Sequence, residues 1–457
     1  MSEQLENGLF IFRRDLRIVD NIALHSLADL CRNVYTIFIF TPEQVGASNP
    51  YRSNNAIQFM IESLEDLAAN LQREGGHLYT FYGNHKTIIA DCIRKWNINM
   101  VAFNVDITPY ARQRDHEVVQ LCQRHQVFVT YDNDYYLCEP DTVRNGAGDP
   151  YVKFTPYYNT AKKRPVAKPL AKHGAHFVKS GTHGITLDAA MRKLVKPNPH
   201  IMIHGGRENG LKQMRLAASV VRHYAQTRDE LAKPTSHLSA YLKFGCVSVR
   251  EVYHAFKSNH SFIRQLYWRD FYANVLYSFP HVLGHSLNAK YDKIRWHHNT
   301  RWFDAWCKGE TGIPIVDASQ RQLLHIGWTH NRGRMVSSSI LTKILLIDWR
   351  KGERFYAQHL TDYDVANNNG GWQWSSGGGS DAQPYFRYFN PFTQSREHDP
   401  KAEYIKTWIP ELKDVPAADI HAWDTAWELY KDCGYPKPIV DYPTQREVSL
   451  KMYKDAL

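Results

Sequence analysis

VYTIFIF (residues 34–40) is an unbroken run of β-branched and aromatic side chains; NNAIQFMIESLEDLAANLQREGG (residues 54–76) follows it with apolar residues three and four apart and closes on two glycines. The run reads as a strand buried on both faces, and the periodic stretch as a helix with one apolar face and a glycine stop. The same alternation extends outward on both sides. LFIF (9–12), LYTFY (78–82), MVAFNV (100–105) and VFVTY (127–131) are short apolar runs separated by helical patterns. Strands alternating with helices predict a parallel sheet with crossover helices, an α/β Rossmann-like domain over residues 1–134.

Between residues 135 and 204 the periodicity dissolves into Pro, Gly, Lys and Tyr, and KKRPVAKPLAKHG (162–174) is too polar and too proline-broken for a core. This is read as an inter-domain connection. Beyond it, SAYLKFGCVSVREVYHAFKS (239–258) and SQRQLLHIGWTHNRGRMVSSSILTKILLIDW (319–349) carry amphipathic helical patterns, so residues 205–457 are expected to form an all-α domain.

The 457 residues are 43% hydrophobic with a formal net charge of +10, which suits a globular chain with a polyanionic partner. Seven cysteines are scattered, odd in number and never spaced CxxC, so neither a disulfide framework nor a zinc site is indicated and no metal is expected. MSEQLENGLFIFRRDLR, at the start, lacks the basic and then apolar regions of a secretory leader, and no window is apolar enough to span a membrane. The expected location is the cytoplasm, or the nucleus in a eukaryote.

DYDVANNNGGWQWSSGGGSDAQPYF (362–386) is the most unusual composition in the chain. Asp362, Asp364 and Asn367 to Asn369 could hydrogen-bond the edge of a heteroaromatic ring, with Gly370 and Gly371 letting backbone approach it; the same residues equally make an Asn/Gly turn with solvated carboxylates. SSGGGS (375–380) reads as a loop. In TSHLS (235–239) three hydroxyls beside a helix start could cap it or hold phosphate oxygens. In RQLYWRDF (264–271), Gln265 shares a helix face with Trp268 and Arg269, and in THNRGRM (329–335) Asn331 shares one with Met335. All tryptophans but Trp96 fall in the helical part, as core filler or as stacking platforms.

Taken in order, FIFRRDLRIVDNIAL (10–24), YVKFTPYYN (151–159), TSHLSAYLKFGCVS (235–248), LYWRDFY (266–272), GIPIVDASQRQLLHIGWTHNRGRM (312–335), LLIDWRKGERFYAQHLTDYDVANNNGGWQW (345–374) and PYFRYFNPFTQ (384–394) resemble the photolyase/cryptochrome family, most closely its class I cyclobutane pyrimidine dimer photolyases. The resemblance implies a helical domain that binds FAD, an antenna chromophore, and light-dependent repair of ultraviolet-damaged DNA by a monomer. It implies that Tyr224, Thr235, Ser236, His237, Leu238, Ser239, Arg269, Arg334, Asp362, Asp364 and Asn368 bind FAD, with Asn368 beside flavin N5 and Arg334 near Asp362. Trp268 and Trp374 would flank a flipped-out dimer against which Met335 packs. Arg228, Gln265, Asn331, Arg332, Arg387 and Gln394 would contact DNA or lesion. Trp372, Trp349 and Trp296 match the family's chain of indoles from flavin to surface. Gln265 and Asn368 are the expected catalytic residues together with Trp268, Trp374 and Met335.

One position departs from the pattern. Dimer-repair members carry Glu where Gln265 stands, and an amide can donate and accept hydrogen bonds but supply no proton. Gln there also resembles 6-4 photolyases and animal cryptochromes, yet 6-4 enzymes have histidines where this chain has Asn331 and Met335, so dimer repair is expected. A cryptochrome-type photoreceptor is the alternative. Such receptors usually add a C-terminal extension, whereas this chain ends at Leu457. ITPYARQRD (107–115) lacks the acid with which folate-using relatives hold methenyltetrahydrofolate, and points to 8-hydroxy-5-deazaflavin as antenna; the same residues also read as a helix starting at Pro109.

Overall fold

The computed structural model of the protein describes residues 4–181 and 184–457. Five parallel strands, β1 (Leu5–Phe12), β2 (Cys31–Phe40), β3 (Leu78–Tyr82), β4 (Met100–Asn104) and β5 (Phe128–Asp132), lie in the order β3-β2-β1-β4-β5. The pleat divides their apolar runs: Phe10, Phe12, Phe38 and Phe40 pack on one face and Leu9, Ile11, Ile37 and Ile39 on the other, each under its own layer of helices. β1 pairs with both β2 and β4, so the winding reverses there and a crevice opens at the carboxyl ends of these strands.

The crossover helices are α1 (Ile22–Leu30), α2 (Asn54–Arg73), α3 (His85–Lys95) and α4 (Pro109–Arg124). Their starts carry side-chain caps from Asn21, Ser53, Asn84 and Thr108.

The connection is more ordered than its composition predicts. It contains α5 (Phe154–Ala161) and a second helix, Leu187–Leu194. Phe154, Tyr157 and Ala161, three or four apart, bury one face against the helical region; they are a periodic signal too short to rise above the flanking Pro and Lys. Residues 165–170, after α5, form neither helix nor strand and contain Pro165 and Pro169, which cannot join a helix interior.

The helical region is built around α6 (His260–Ser278), α7 (Pro314–Ile326), α8 (Asn331–Lys343), α9 (Trp349–His359) and α10 (Val365–Ser376). Both long patterns predicted there are interrupted. Residues 239–258 split into Ser239–Lys243 and Val249–Phe256 around Gly245 at φ 61°, and α7 stops at Gly327 in the left-handed region at φ 70°.

α10 overturns the turn reading of the Asn/Gly-rich stretch. Asp364 caps it by accepting from Asn367 N, and Gly377 ends it at φ 96°. Ser375 and Ser376 belong to this helix, and the loop begins only after them.

Buried ion pairs join the sheet domain to the helices. Arg17 and Arg250 enclose Asp134, Arg250 also holds Asp20, and Arg14 reaches Asp364 at 3.1 Å. Among the described residues no helix is long and apolar enough to cross a membrane, and the seven cysteines are all unpaired.

Candidate functional site

The Thr235–Ser239 loop does not cap. The short helix Ser239–Lys243 starts with no side-chain cap bond, so the capping reading of these hydroxyls is not borne out. His237, at φ 49°, instead lies edge-on to Trp328, ring centroids 4.6 Å apart. Burial lowers its pKa to about 4, with Asp362 opposing, and His330 beside it is lowered to about 4 by burial as well. Two neutral imidazoles each present one donor and one acceptor. His330 Nδ1 caps α8 by accepting from Arg332 N at 3.0 Å, while His330 Nε2 and His237 Nδ1 are buried without a partner among the described residues.

Opposite them, Arg334 donates to both carboxylate oxygens of Asp362, at 3.0 and 3.2 Å, so the predicted pairing of these residues is present. Asp364 is spoken for within the protein: burial pushes its pKa up, but Arg14, Lys243 and Arg269 outweigh that and hold it well below the usual carboxylate range. Arg269 donates to Tyr135 O and stacks on the Tyr136 ring at 4.8 Å, bracing the connection.

Of the three asparagines predicted at a ring edge, two are taken up by the fold. Asn369 donates to Val282 O and to Glu353 Oε1, and Asn367 donates to Asp364 Oδ1. Asn368 donates its amide to Glu353 O at 3.0 Å, which turns its carbonyl oxygen away from that partner. Glu353 carries no sequence signal as a brace, since nothing in Gly352-Glu353-Arg354 marks it as one. Burial raises its pKa to about 7 against the hydrogen bond from Asn369. The two glycines also divide. A Cβ on Gly370 would stand 2.1 Å from the Tyr272 ring, so this glycine serves helix packing and its ligand reading is corrected, whereas Gly371 faces open space.

The residues expected at DNA fall into several local groups. Gln265 and Trp268 are half-buried on α6, and Trp268 stacks on Phe154 at 3.7 Å with planes 7° apart. Asn331 donates toward Met335 Sδ at 3.4 Å, as their shared face predicts. Arg332 pairs with Asp229 at 2.7 Å and with Gln394 at 3.3 Å; Arg228 leans on the same Asp229. Asp229, missed in the sequence, thus holds two arginines expected to contact DNA or lesion. Arg387 is exposed, Trp374 is half-buried beside Phe389, and Tyr224 lies edge-on to Phe262.

Of the three indoles, Trp372 and Trp349 are both buried and Trp296 is half-buried against Tyr453. Trp372 makes ring contacts with Tyr356 at 5.2 Å and with Trp306 at 5.9 Å.

Residues 9–173 match the model of the family described as DNA photolyase, and residues 262–455 match that of the FAD binding domain of DNA photolyase. A deoxyribodipyrimidine photo-lyase of Alkalihalophilus pseudofirmus is 36% identical, with 97% of each chain covered. Two solved structures share the architecture. The archaeal photolyase from Sulfolobus tokodaii, solved with two FAD molecules, superposes with a TM-score of 0.89 at 36% identity, covering 98% of this chain and all of that one. A bacterial class III photolyase from Agrobacterium tumefaciens gives 0.92 at 30% identity, covering all of this chain and 98% of its own. A sheet domain locked to a helical domain, similarity along nearly the whole length, and both halves matched by one family's models lead to one conclusion: the chain belongs to the DNA photolyase family.

Proposed function

We propose that the protein is a light-dependent lyase that reopens cyclobutane pyrimidine dimers in DNA with FAD as its cofactor. The observation that carries this reading is the match of both halves to DNA photolyase and its FAD-binding domain, together with relatives named deoxyribodipyrimidine photo-lyase.

The helical region suits a flavin. His237 Nδ1 and His330 Nε2 are buried without partners among the described residues beside the Asp362–Arg334 pair, and each such atom costs roughly 1–3 kcal/mol unless a ligand satisfies it. The Thr235–Ser239 loop would hold the phosphates, with Tyr224 alongside, and Asp362 and Asn368 would meet sugar and ring edge. Arg269 and Asp364 would act from behind, as charges that hold the domains together. Bound and reduced FAD supplies, on excitation by blue light, the electron that opens the cyclobutane ring and receives it back. Trp372, Trp349 and Trp296 are the residues we assign to recharging the cofactor, supported by the match to the family's chain of indoles and by the partial exposure of Trp296 alone.

The protein's own part is to grip, extrude and hold the lesion. Arg228, Arg332, Arg387 and Gln394 would contact the strand. Photolyases as a class reach their target by flipping it out of the duplex, which costs roughly a few kcal/mol and least for bases that already pair poorly. Trp268 and Trp374 would flank the dimer, with Met335 and Asn331 beneath it and the Gln265 amide hydrogen-bonded to its carbonyl edge. For the antenna we propose 8-hydroxy-5-deazaflavin at the sheet's carboxyl-end crevice. The support is that residues 107–115 lack the acid with which folate-using relatives hold methenyltetrahydrofolate, and two FAD molecules in the Sulfolobus protein make a second flavin the rival occupant. A monomer acting in the cytoplasm, or in a nucleus, completes the reading.

The test uses two duplexes, one with a cyclobutane dimer and one with a (6-4) photoproduct, each illuminated and kept dark. Light-only loss of the cyclobutane dimer supports the reading; light-driven loss of the (6-4) product alone, or of neither, overturns it.

A further inference from the structure

Residues 150–187 contain no Asp or Glu, while Lys153, Lys162, Lys163, Arg164, Lys168, Lys172 and Lys179 lie within them. A basic run of this kind is ordinarily a solvated face, and two features set this one apart. The strap is pinned: Leu170 N donates to Asp20, the carbonyls of Val166 and Ala167 meet His254 Nε2, the Arg164 side chain donates to Thr142, and Phe177 is buried beside Val34. Most of its cations also lack a counter-ion among the described residues. Lys172 pairs with Glu74, but Lys153, Lys162, Lys163, Arg164 and Lys168 have no carboxylate partner among the described residues. Like charges fixed close together on a rigid strap repel, and a line of phosphates removes that repulsion.

The strap begins at the lesion face. Phe154 lies flat on Trp268 at 3.7 Å; Tyr158 stacks on Phe154 at 5.7 Å; Lys162 Nζ stands over Tyr158 at 5.0 Å. Arg264, adjacent in sequence to Gln265, places its guanidinium over both Phe154 and Tyr158. Asp381, just ahead of Arg387, accepts from Phe154 N at 3.4 Å and fastens the start of α5 to that loop. Along this ladder Lys162 lies within about four base steps of Trp268, at ~3.4 Å of rise per step.

We propose that the strap from Lys162 to Lys168 is a second DNA contact, one that holds backbone phosphates of the duplex flanking the lesion and takes no part in the chemistry. This rests on the repair reading given above and extends it to the length of DNA the protein grips.

The experiment measures binding of dimer-containing DNA at several salt concentrations for wild type, Lys162→Ala/Lys163→Ala/Lys168→Ala, and the same three positions changed to Arg. One probe is a single strand of about five nucleotides; the other is a duplex with about ten base pairs on each side of the lesion, long enough to pass the strap. The Ala variant is expected to bind the long duplex about tenfold or more weakly at low salt. Its salt slope should fall by ~0.9 for each phosphate the strap no longer neutralises, while short-strand binding and repair in saturating light stay at wild-type levels. The Arg variant should keep the full slope. An unchanged slope and affinity of the Ala variant on the long duplex, in protein that repairs the short strand, overturns this inference alone. Failure of wild type to repair the short strand in light overturns the repair reading and this inference with it.

Discussion

Single side chains decide how the site is held. Gly370 and Gly371 look alike in the sequence, yet one touches the Tyr272 ring and the other faces open space. Ala at either position gains about 1 kcal/mol in helix propensity, but at Gly370 overpacking costs about 1–3 kcal/mol and wins. Gly370→Ala is therefore expected to lower the unfolding midpoint, and Gly371→Ala to raise it in flavin-free protein, as thermal denaturation will read. Gln265 is the residue with a chemical deficit. A carboxyl there would make charge-assisted bonds to the lesion, so Gln265→Glu is expected to speed repair under limiting light by about fivefold, near 1 kcal/mol. An unchanged rate would remove Gln265 from contact with the dimer. Asp270, 2% exposed, has its pKa raised to about 7 by burial against Arg269 and the N–H of Cys138. The folded protein then keeps a proton that the unfolded chain releases near pH 4, so this group's contribution to stability declines as pH rises from about 4 to about 7. Asp270→Asn removes that decline. Relative to wild type it should gain up to about 1.4 kcal/mol per pH unit across the window, measured by denaturant unfolding at several pH values.

Elements were legible where one physical signal dominated. The five strands stood out because each contains a short apolar run; four of these runs are covered by helices, while β5 lies at the sheet edge with Phe128 and Tyr131 exposed. α10 was hidden because Asn and Gly disfavour helix, and what forms it is tertiary: Asp364 capping its start, Asn369 and Gln373 satisfied by Val282 O, and Gly377 ending it. α5 was hidden by its neighbours in the connection. Asp364 allows a test at this scale, because it serves α10 as a cap and Arg14 as a counter-ion. Asp364→Asn keeps a capping oxygen and should lose only the ion pair. Asp364→Ala loses both and should be less stable by a further ~1 kcal/mol, with earlier loss of helical signal on heating.

At the scale of the whole molecule, the site depends on two halves that the sequence could separate but not dock. The pairing of Arg334 with Asp362 followed from the family resemblance. The partners across the domain boundary, Arg14 with Asp364 and Arg250 with Asp20 and Asp134, carry no periodicity and could be seen only once folded. Arg250→Ala leaves two buried carboxylates facing a single arginine, a loss of about 3–5 kcal/mol, and is expected to split unfolding into separate transitions for sheet and helices. What those halves are jointly for is tested most directly by following pyrimidine absorbance in a dimer-containing oligonucleotide mixed with purified, reduced protein, first in darkness and then under blue light. The account predicts no change in the dark and a recovery of intact pyrimidines over many turnovers in the light. A yellow, flavin-loaded protein that binds the lesion and leaves it closed under illumination would contradict it.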